Sequence, residues 1–354
     1  MERFNMDTNK SIYKAIDILK FLAAICVVAI HTNAFKDINN GIYNFLSYCI
    51  FTFAVPFFFI ISGFFLGKKV KKINCLDASG YRTILISYFK RLAYPYIIWG
   101  IWYFFISTAI LIISDGFTVS HAAVHQIHIW LVSSPGGGLW YVQAILLLLM
   151  MLCLSGKTRY IPYFVVVFLL LSCIPDFVML FKDCGIIRSI VDFYNKIFIT
   201  DLNFVWWGIY FLLGLLLGHL KYEPIIILTL KKYKFPILVL FYSMHISIFI
   251  IWGDGLLLHV SKIIVSVLLF IFAISTRFNV DENKSIFLRK MSTIIYFTHF
   301  SFIYAVQVML KLLNIDTSSF ATLVWIIVSI CVITYSYLIV YIKNNPLIYL
   351  YEKR

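Results

Sequence analysis

The residues with the clearest chemical potential sit in the first apolar stretch, where Lys20 and His31 are eleven positions apart. At 100° per residue that interval is about three turns plus 20°, so both side chains leave one helix face roughly 16 Å apart along the axis. Asp17, three positions before Lys20, extends the same stripe. Ionisable groups at membrane depth are costly, so each is a functional hypothesis by default. A neutral imidazole takes a proton from a hydroxyl near pH 7 and returns it, which makes His31 the candidate general base and Lys20 its companion cation. The plainer reading makes Asp17 and Lys20 an interfacial pair whose lysine snorkels to the boundary, and His31 a packing hydrogen bond.

Further candidates follow along the chain. Pro56 and Gly63 interrupt the second apolar run, and a broken helix with Ser62 beside Gly63 suits a cavity wall as well as a packed kink. Lys90 and Arg91 stand where the third span is expected to begin, and paired cations there would hold a phosphate, the arginine bidentately. Gly136, Gly137 and Gly138 precede Trp140, Tyr141 and Gln143. Their spacing is not that of a nucleotide loop, and the aromatic–amide group suits stacking on a sugar or anchoring at the interface. Tyr296 and His299 are neighbours on one face of the ninth span, expected in its cytoplasmic half and away from His31. His121, His125 and His128 have the i, i+4, i+7 spacing of one helix face, but no clear further ligand accompanies them, so a solvated face is expected and no metal.

These groups need apolar helices to carry them. Of the 354 residues, 62% are apolar and 13% charged. Such a balance excludes a cytosolic enzyme of this length. About ten spans of roughly 20 residues would absorb the apolar content. They read at 16–34, 44–66, 93–114, 139–154, 161–181, 204–220, 235–252, 258–275, 292–313 and 320–342. With the N-terminus inside, 24 Lys and Arg fall on the cytoplasmic side and 6 outside, so an all-α polytopic bundle with both termini cytoplasmic is expected. The net charge of +14 is thereby explained by topology and attraction to anionic lipid, without nucleic acid; the stretch 67–92 could also dock a phosphate-bearing ligand. The seven cysteines show no CxxC or Cys/His metal spacing, and most lie in apolar runs as small buried residues. The first run, interrupted by Asp17, Lys20 and His31, is expected to stay as a helix rather than be cleaved as a signal peptide. No repeat or low-complexity linker divides the chain, so residues 1–354 read as one transmembrane domain without a fused soluble one.

In order and spacing, Ile16-Asp17-Ile18-Leu19-Lys20-Phe21 leading to His31, Val55-Pro56-Phe57-Phe58 through Ser62-Gly63-Phe64, Lys90-Arg91 before Pro95, Leu139-Trp140-Tyr141, and Ile295-Tyr296-Phe297-Thr298-His299 resemble the acyltransferase-three family of integral membrane acyltransferases. The resemblance spans residues 11 to about 340. It implies a ten-helix bundle in the plasma membrane, of bacterial type, that takes an acyl group, usually acetyl from acetyl-CoA, and delivers it to a hydroxyl of a cell-surface glycan or lipid-linked sugar. By position, His31 then corresponds to the essential histidine and Lys20 to its helix-face cation. Arg91 stands where the family has the first arginine of an Arg-x-x-Arg pattern, whose second position here is Tyr94. Lys90, Arg91, Ser62 and Gly63 would contact the acyl-CoA, and Asp17, Trp140, Tyr141, Gln143, Tyr296 and His299 the acceptor. The competing reading is a membrane carrier for a small molecule such as an amino acid, related to the membrane half of serine-racemase fusions; a scaffold in surface-polymer assembly is a third.

Overall fold

The computed structural model describes residues 13–72, 78–132, 134, 137–179, 185, 189, 204–220, 225–342 and 345–351. Among these there is no strand. In chain order the helices are α1 (Lys14–His31), α2 (Asn40–Phe45), α3 (Ala54–Lys71), α4 (Ala78–Asp115), α5 (Val119–Val132), α6 (Trp140–Ser155) and α7 (Ile161–Met179). They continue with α8 (Phe204–His219), α9 (Ile225–Lys232), α10 (Lys234–Trp252), α11 (Leu256–Ser275), α12 (Glu282–Leu312) and α13 (Ala321–Tyr341). Each expected span coincides with a helix, but seven of the described helical runs are long and apolar enough to cross a membrane. Helices α6 and α8 are shorter, and α1 carries Lys14, Asp17 and Lys20.

Two helices depart from expectation in length. Helix α4 has 38 residues and α12 has 31. At 1.5 Å per residue these are about 57 and 46 Å long, against a hydrocarbon core of about 30 Å. Hydropathy registers only the lipid-facing part, so both helices continue as polar rods where the sequence loses its apolar character. Lys90 and Arg91 therefore lie inside α4 and not where a helix begins. Pro95 sits in that helix without ending it; its missing N–H leaves only the Arg91 carbonyl unpaired. The second run also differs. The irregular turns, Leu46–Ile50 and Phe51–Phe53, precede Pro56, which falls in the first turn of α3. There its missing N–H has no intrahelical partner to lose.

The tightest crossing is α3 against α8. Gly63 and Gly67 on α3 face Gly214 and Gly218 on α8, a small-xxx-small spacing on both partners that lets the backbones touch. A Cβ built on Gly63 would lie 1.9 Å from the Phe211 carbonyl oxygen, and one on Gly214 2.0 Å from that of Ile60. The largest apolar core surrounds this crossing, with Phe59, Ile60, Tyr210, Phe211 and Leu215 fully buried and α6 packed alongside. Helices α1, α12 and α13 form a second layer around Val28, Ile295 and Val328. At the periphery, α10 buries only His245 and presents Val239, Leu240 and Ile250 outward, as a lipid-facing helix does.

Candidate functional site

His31 is the last residue of α1. Thr32 closes the helix by donating its hydroxyl to the Val28 carbonyl at 2.9 Å. Asn33 and Phe35 then adopt positive φ, 51° and 71°, without being glycine. Side chains seldom tolerate that backbone, and here it turns the chain sharply away from the histidine. The turn is clasped to the start of α13: the Phe35 N–H donates to Thr322 Oγ1 at 2.9 Å, and the Thr322 N–H and hydroxyl both donate to Asp37. Burial alone would raise the Asp37 carboxyl, but the Thr322 hydroxyl and N–H, with the backbone N–H groups of Asp37 and Ile38, hold it below its ordinary value.

His299 lies beside His31, with ring centroids 5.4 Å apart at an interplanar angle of 30°. This corrects the expected separation of the two. Because α12 begins at Glu282, ten residues before the span read from hydropathy, His299 is past the middle of the helix and level with the end of α1. Phe300 packs on both imidazoles, at 4.6 Å from His31 and 4.8 Å from His299. The backbone fixes the His299 tautomer. Nδ1 lies 2.7 Å from the Tyr296 carbonyl and 3.1 Å from that of Ile295. Carbonyls only accept, so Nδ1 carries the hydrogen. Nε2 is thus the acceptor. It is buried and has no hydrogen-bond partner among the described residues.

Both histidines line a cavity of about 20 Å³, room for about one water molecule. Val27, Val55 and Phe58 give it apolar walls, while Gly138, Trp140, Tyr141 and Tyr296 close the rest. The tyrosines are held rigidly: Tyr296 donates to the Gly138 carbonyl at 2.8 Å, and Tyr141 donates to the Phe58 carbonyl at 3.1 Å. With its hydrogen so committed, the Tyr141 oxygen accepts from Ser62 Oγ at 2.7 Å. Gly138 is required where it stands, because a Cβ there would come within 2.5 Å of the Phe300 ring. Tyr88 on α4 lies within electrostatic reach of Ser62 and of the Arg91 charge. Lys69 Nζ lies 5.8 Å from the Tyr88 ring centroid and close enough to Arg91 for the two charges to repel. A line of polar groups, Tyr141, Ser62, Tyr88 and Arg91, therefore runs from the cavity wall to the basic end of the bundle.

The structure thus gathers His31, Trp140, Tyr141, Tyr296 and His299 around one cavity, with Ser62 directly behind. It does not bring the others there. Lys20 is half-buried on α1 and absent from the lining; Asp17 is buried and accepts a hydrogen bond from Ser285 Oγ at 2.7 Å. Gly63 faces the α8 backbone, Gln143 is half-buried outside the lining, and Lys90 and Arg91 are exposed on α4. His121 packs against Phe117 at 4.6 Å on α5, and among the described residues no group of His, Cys, Asp and Glu could hold a metal ion. Gly136 lies outside the described residues. Sequence reasoning missed Tyr88 and Phe300. Tyr88 is three residues from Arg91, so the signal existed once 78–115 was read as one helix.

A family model described as an acyltransferase domain matches residues 13–341. Two proteins of Enterococcus faecalis, both called amino-acid racemase, are similar over short stretches. One is 44% identical over 64 residues, 17% of this chain and 8% of the racemase; the other is 45% identical over 51 residues, 14% of this chain and 7% of the racemase. The matched stretches are therefore a small fraction of those proteins. No solved structure matches the chain.

Proposed function

The chain belongs to the acyltransferase-three family of membrane acyltransferases, and on that premise we propose that it transfers an acyl group, acetyl in the simplest case, from cytoplasmic acyl-CoA to a hydroxyl of a cell-surface glycan or lipid-linked sugar. The observation that carries the reading is the His31–His299 pair, with His299 Nε2 lacking a hydrogen-bond partner among the described residues and both rings lining a small, mostly apolar cavity. In this reading the basic end of the bundle faces the cytoplasm of a bacterial plasma membrane. Lys69, Lys90 and Arg91 hold the phosphates of the donor, where the like charges of Lys69 and Arg91 favour an anion. Lys20 orients the donor from the same end. The cavity has room for a hydroxyl, so the reacting hydroxyl enters while the rest of the acceptor stays at the mouth formed by Gly138, Trp140 and Tyr141.

The step balances without a metal. The acceptor oxygen forms a bond to the thioester carbonyl carbon as His31 takes its proton; the carbon–sulfur bond then breaks, and the proton passes from the imidazolium to the departing thiolate. His299, stacked on His31 and held by its own Nδ1–H to the backbone, fixes the His31 imidazole beside the hydroxyl, whose one hydrogen goes to His31. Holding the reacting groups in one geometry supplies much of the rate, and the backbone-locked tautomer supplies that holding. The test is acyl transfer from radiolabelled acetyl-CoA by the purified protein in liposomes. His31→Gln should abolish transfer while the variant remains in the membrane with its thermal stability intact; full transfer by that variant would refute the base assignment.

A carrier for a small molecule such as an amino acid is the second reading, favoured only by the short similarity to the two racemases. Uptake of labelled amino acid into liposomes with no consumption of acetyl-CoA would support it against the first.

A further inference from the structure

On the other side of the wall formed by Trp140 and Trp207, whose indoles are 5.4 Å apart, three helices turn polar side chains toward one another. Ser172 and Asp176 lie on α7, His259 and Lys262 on α11, and Trp206 and Tyr210 on α8. Each pair is about one turn apart on its helix. His259 is 3% exposed and Ser172 and Tyr210 are fully buried, so these are not solvated faces. The hydrogens can be assigned. Ser172 donates its hydroxyl to the Leu169 carbonyl at 2.9 Å, and His259 Nε2 lies 3.3 Å from the same Ser172 Oγ. With the serine hydrogen already committed, the imidazole is the donor in that second contact. His259 Nδ1 is then a lone pair. It faces Asp176 Oδ2 across 3.9 Å.

Two acceptors thus confront each other with no donor between them. Neither has a hydrogen-bond partner among the described residues, nor has the Tyr210 hydroxyl, which lies within electrostatic reach of Asp176. The edge of Trp206 closes on the imidazole with centroids 4.6 Å apart. A cluster of unsatisfied buried polar atoms calls for an occupant that satisfies them. A primary ammonium has a donor for each, three N–H groups for Nδ1, Oδ2 and the phenol oxygen, and a positive charge for the carboxylate. Local charge agrees, since Asp176 and Asp254 together outnumber Lys262 among the described residues whose charges act on this junction. The junction lies three residues from the ends of α7 and α11, and Asp176 is 16% exposed, so it is approached from the side of the bundle where His31 ends α1.

We infer that Asp176, His259 and Tyr210 form a second ligand site, one that takes the primary ammonium of a small amine such as an amino sugar or an amino acid. The inference is independent of acyl transfer at His31. It is tested by isothermal titration of the purified full-length protein with glucosamine and with alanine, each against its N-acetylated counterpart. Saturable binding of either free amine, with its N-acetyl form binding roughly tenfold or more weakly, is the expected result, and which amine binds identifies the source. Asp176→Asn should weaken that binding by a similar factor without moving the melting temperature, whereas His31→Gln should leave it unchanged. Absence of saturable binding for both amines would overturn the inference, as would equal binding of the N-acetyl forms. So would binding that emerges only in Lys262→Met, because the internal ammonium would then be the natural occupant.

Discussion

Placing one methyl group at the α3–α8 crossing is expected to loosen the bundle and weaken the site together. In Gly63→Ala the new Cβ would lie 1.9 Å from the Phe211 carbonyl oxygen and 2.7 Å from the Leu215 nitrogen, where real Cβ contacts do not fall below 3.0 Å. The obstacle is backbone, not a flexible side chain, so the helices themselves must separate by roughly 1 Å. Overpacking of this kind costs about 1–3 kcal/mol, while replacing a mid-helix glycine returns about 0.5–1 kcal/mol. Sterics win, leaving a net loss of roughly 1–2 kcal/mol and a melting temperature lower by about 1–3 °C on the scale of soluble proteins of this length. Activity should fall as well, because the neighbouring Ser62 would be drawn off its 2.7 Å bond to Tyr141. Gly214→Ala, at 2.0 Å from the Ile60 carbonyl oxygen, should behave alike. Gly185→Ala, helical with nothing among the described residues within 4 Å, is the control and should be neutral or slightly stabilising. The measurement is thermal unfolding in detergent followed by size-exclusion, with acetyl transfer read in parallel. If Gly63→Ala and Gly214→Ala melt with or above Gly185→Ala, the close crossing is not what holds these helices.

Other expectations follow from the same geometry. His299→Asn keeps an amide near the Tyr296 carbonyl but removes Nε2, so transfer should fall by roughly 10²-fold or more with little change in melting temperature; unchanged transfer would leave His299 a packing residue. Tyr141→Phe deprives Ser62 and the Phe58 carbonyl of their partner and should cost about 1–2 kcal/mol, read as a lower melting temperature. The Asp37 carboxyl is held below its ordinary value when folded, so the clasp to Thr322 is at full strength above the ordinary carboxylate range and weakens as pH falls through the lowered folded value. The protection of the Thr322 amide from hydrogen–deuterium exchange, taken relative to its intrinsic rate at each pH, should accordingly fall on acidification in the wild type and be low at all pH in Asp37→Ala.

The apolar runs made the helices legible because lipid imposes one rule on every span: backbone groups must pair within the helix and side chains must be apolar. That rule is silent beyond the bilayer. Residues 78–92 and 282–291 are charged and helical at once, and hydropathy cannot see a helix where no lipid demands one. The misplacements of Lys90, Arg91 and His299 follow from this. Lys90 and Arg91 moved from a helix start to a helix interior, and His299 moved from one level of the bundle to the level of His31, when ten residues were added to the start of α12.

What the sequence could not carry is pairing between helices. The three-helical-turn stripe from Lys20 to His31 was readable within α1, yet a stripe does not say which neighbour covers which part of it. In the fold Asp17 meets Ser285 and His31 meets His299, so the two ends of one stripe serve different partners, both on α12. The glycines show the same limit from the other side. Gly63 and Gly67, like Gly214 and Gly218, carry the spacing of close packing in the sequence itself, but only the fold reveals that each pair is the other's partner. The same holds for His259 and Asp176, 83 positions apart in runs of apolar residues that gave neither a reason to be read together. Polar residues in lipid are therefore best interpreted as half of a contact: the cost of burying each announces that a partner exists, and the partner's identity is a property of helix packing that local pattern does not encode.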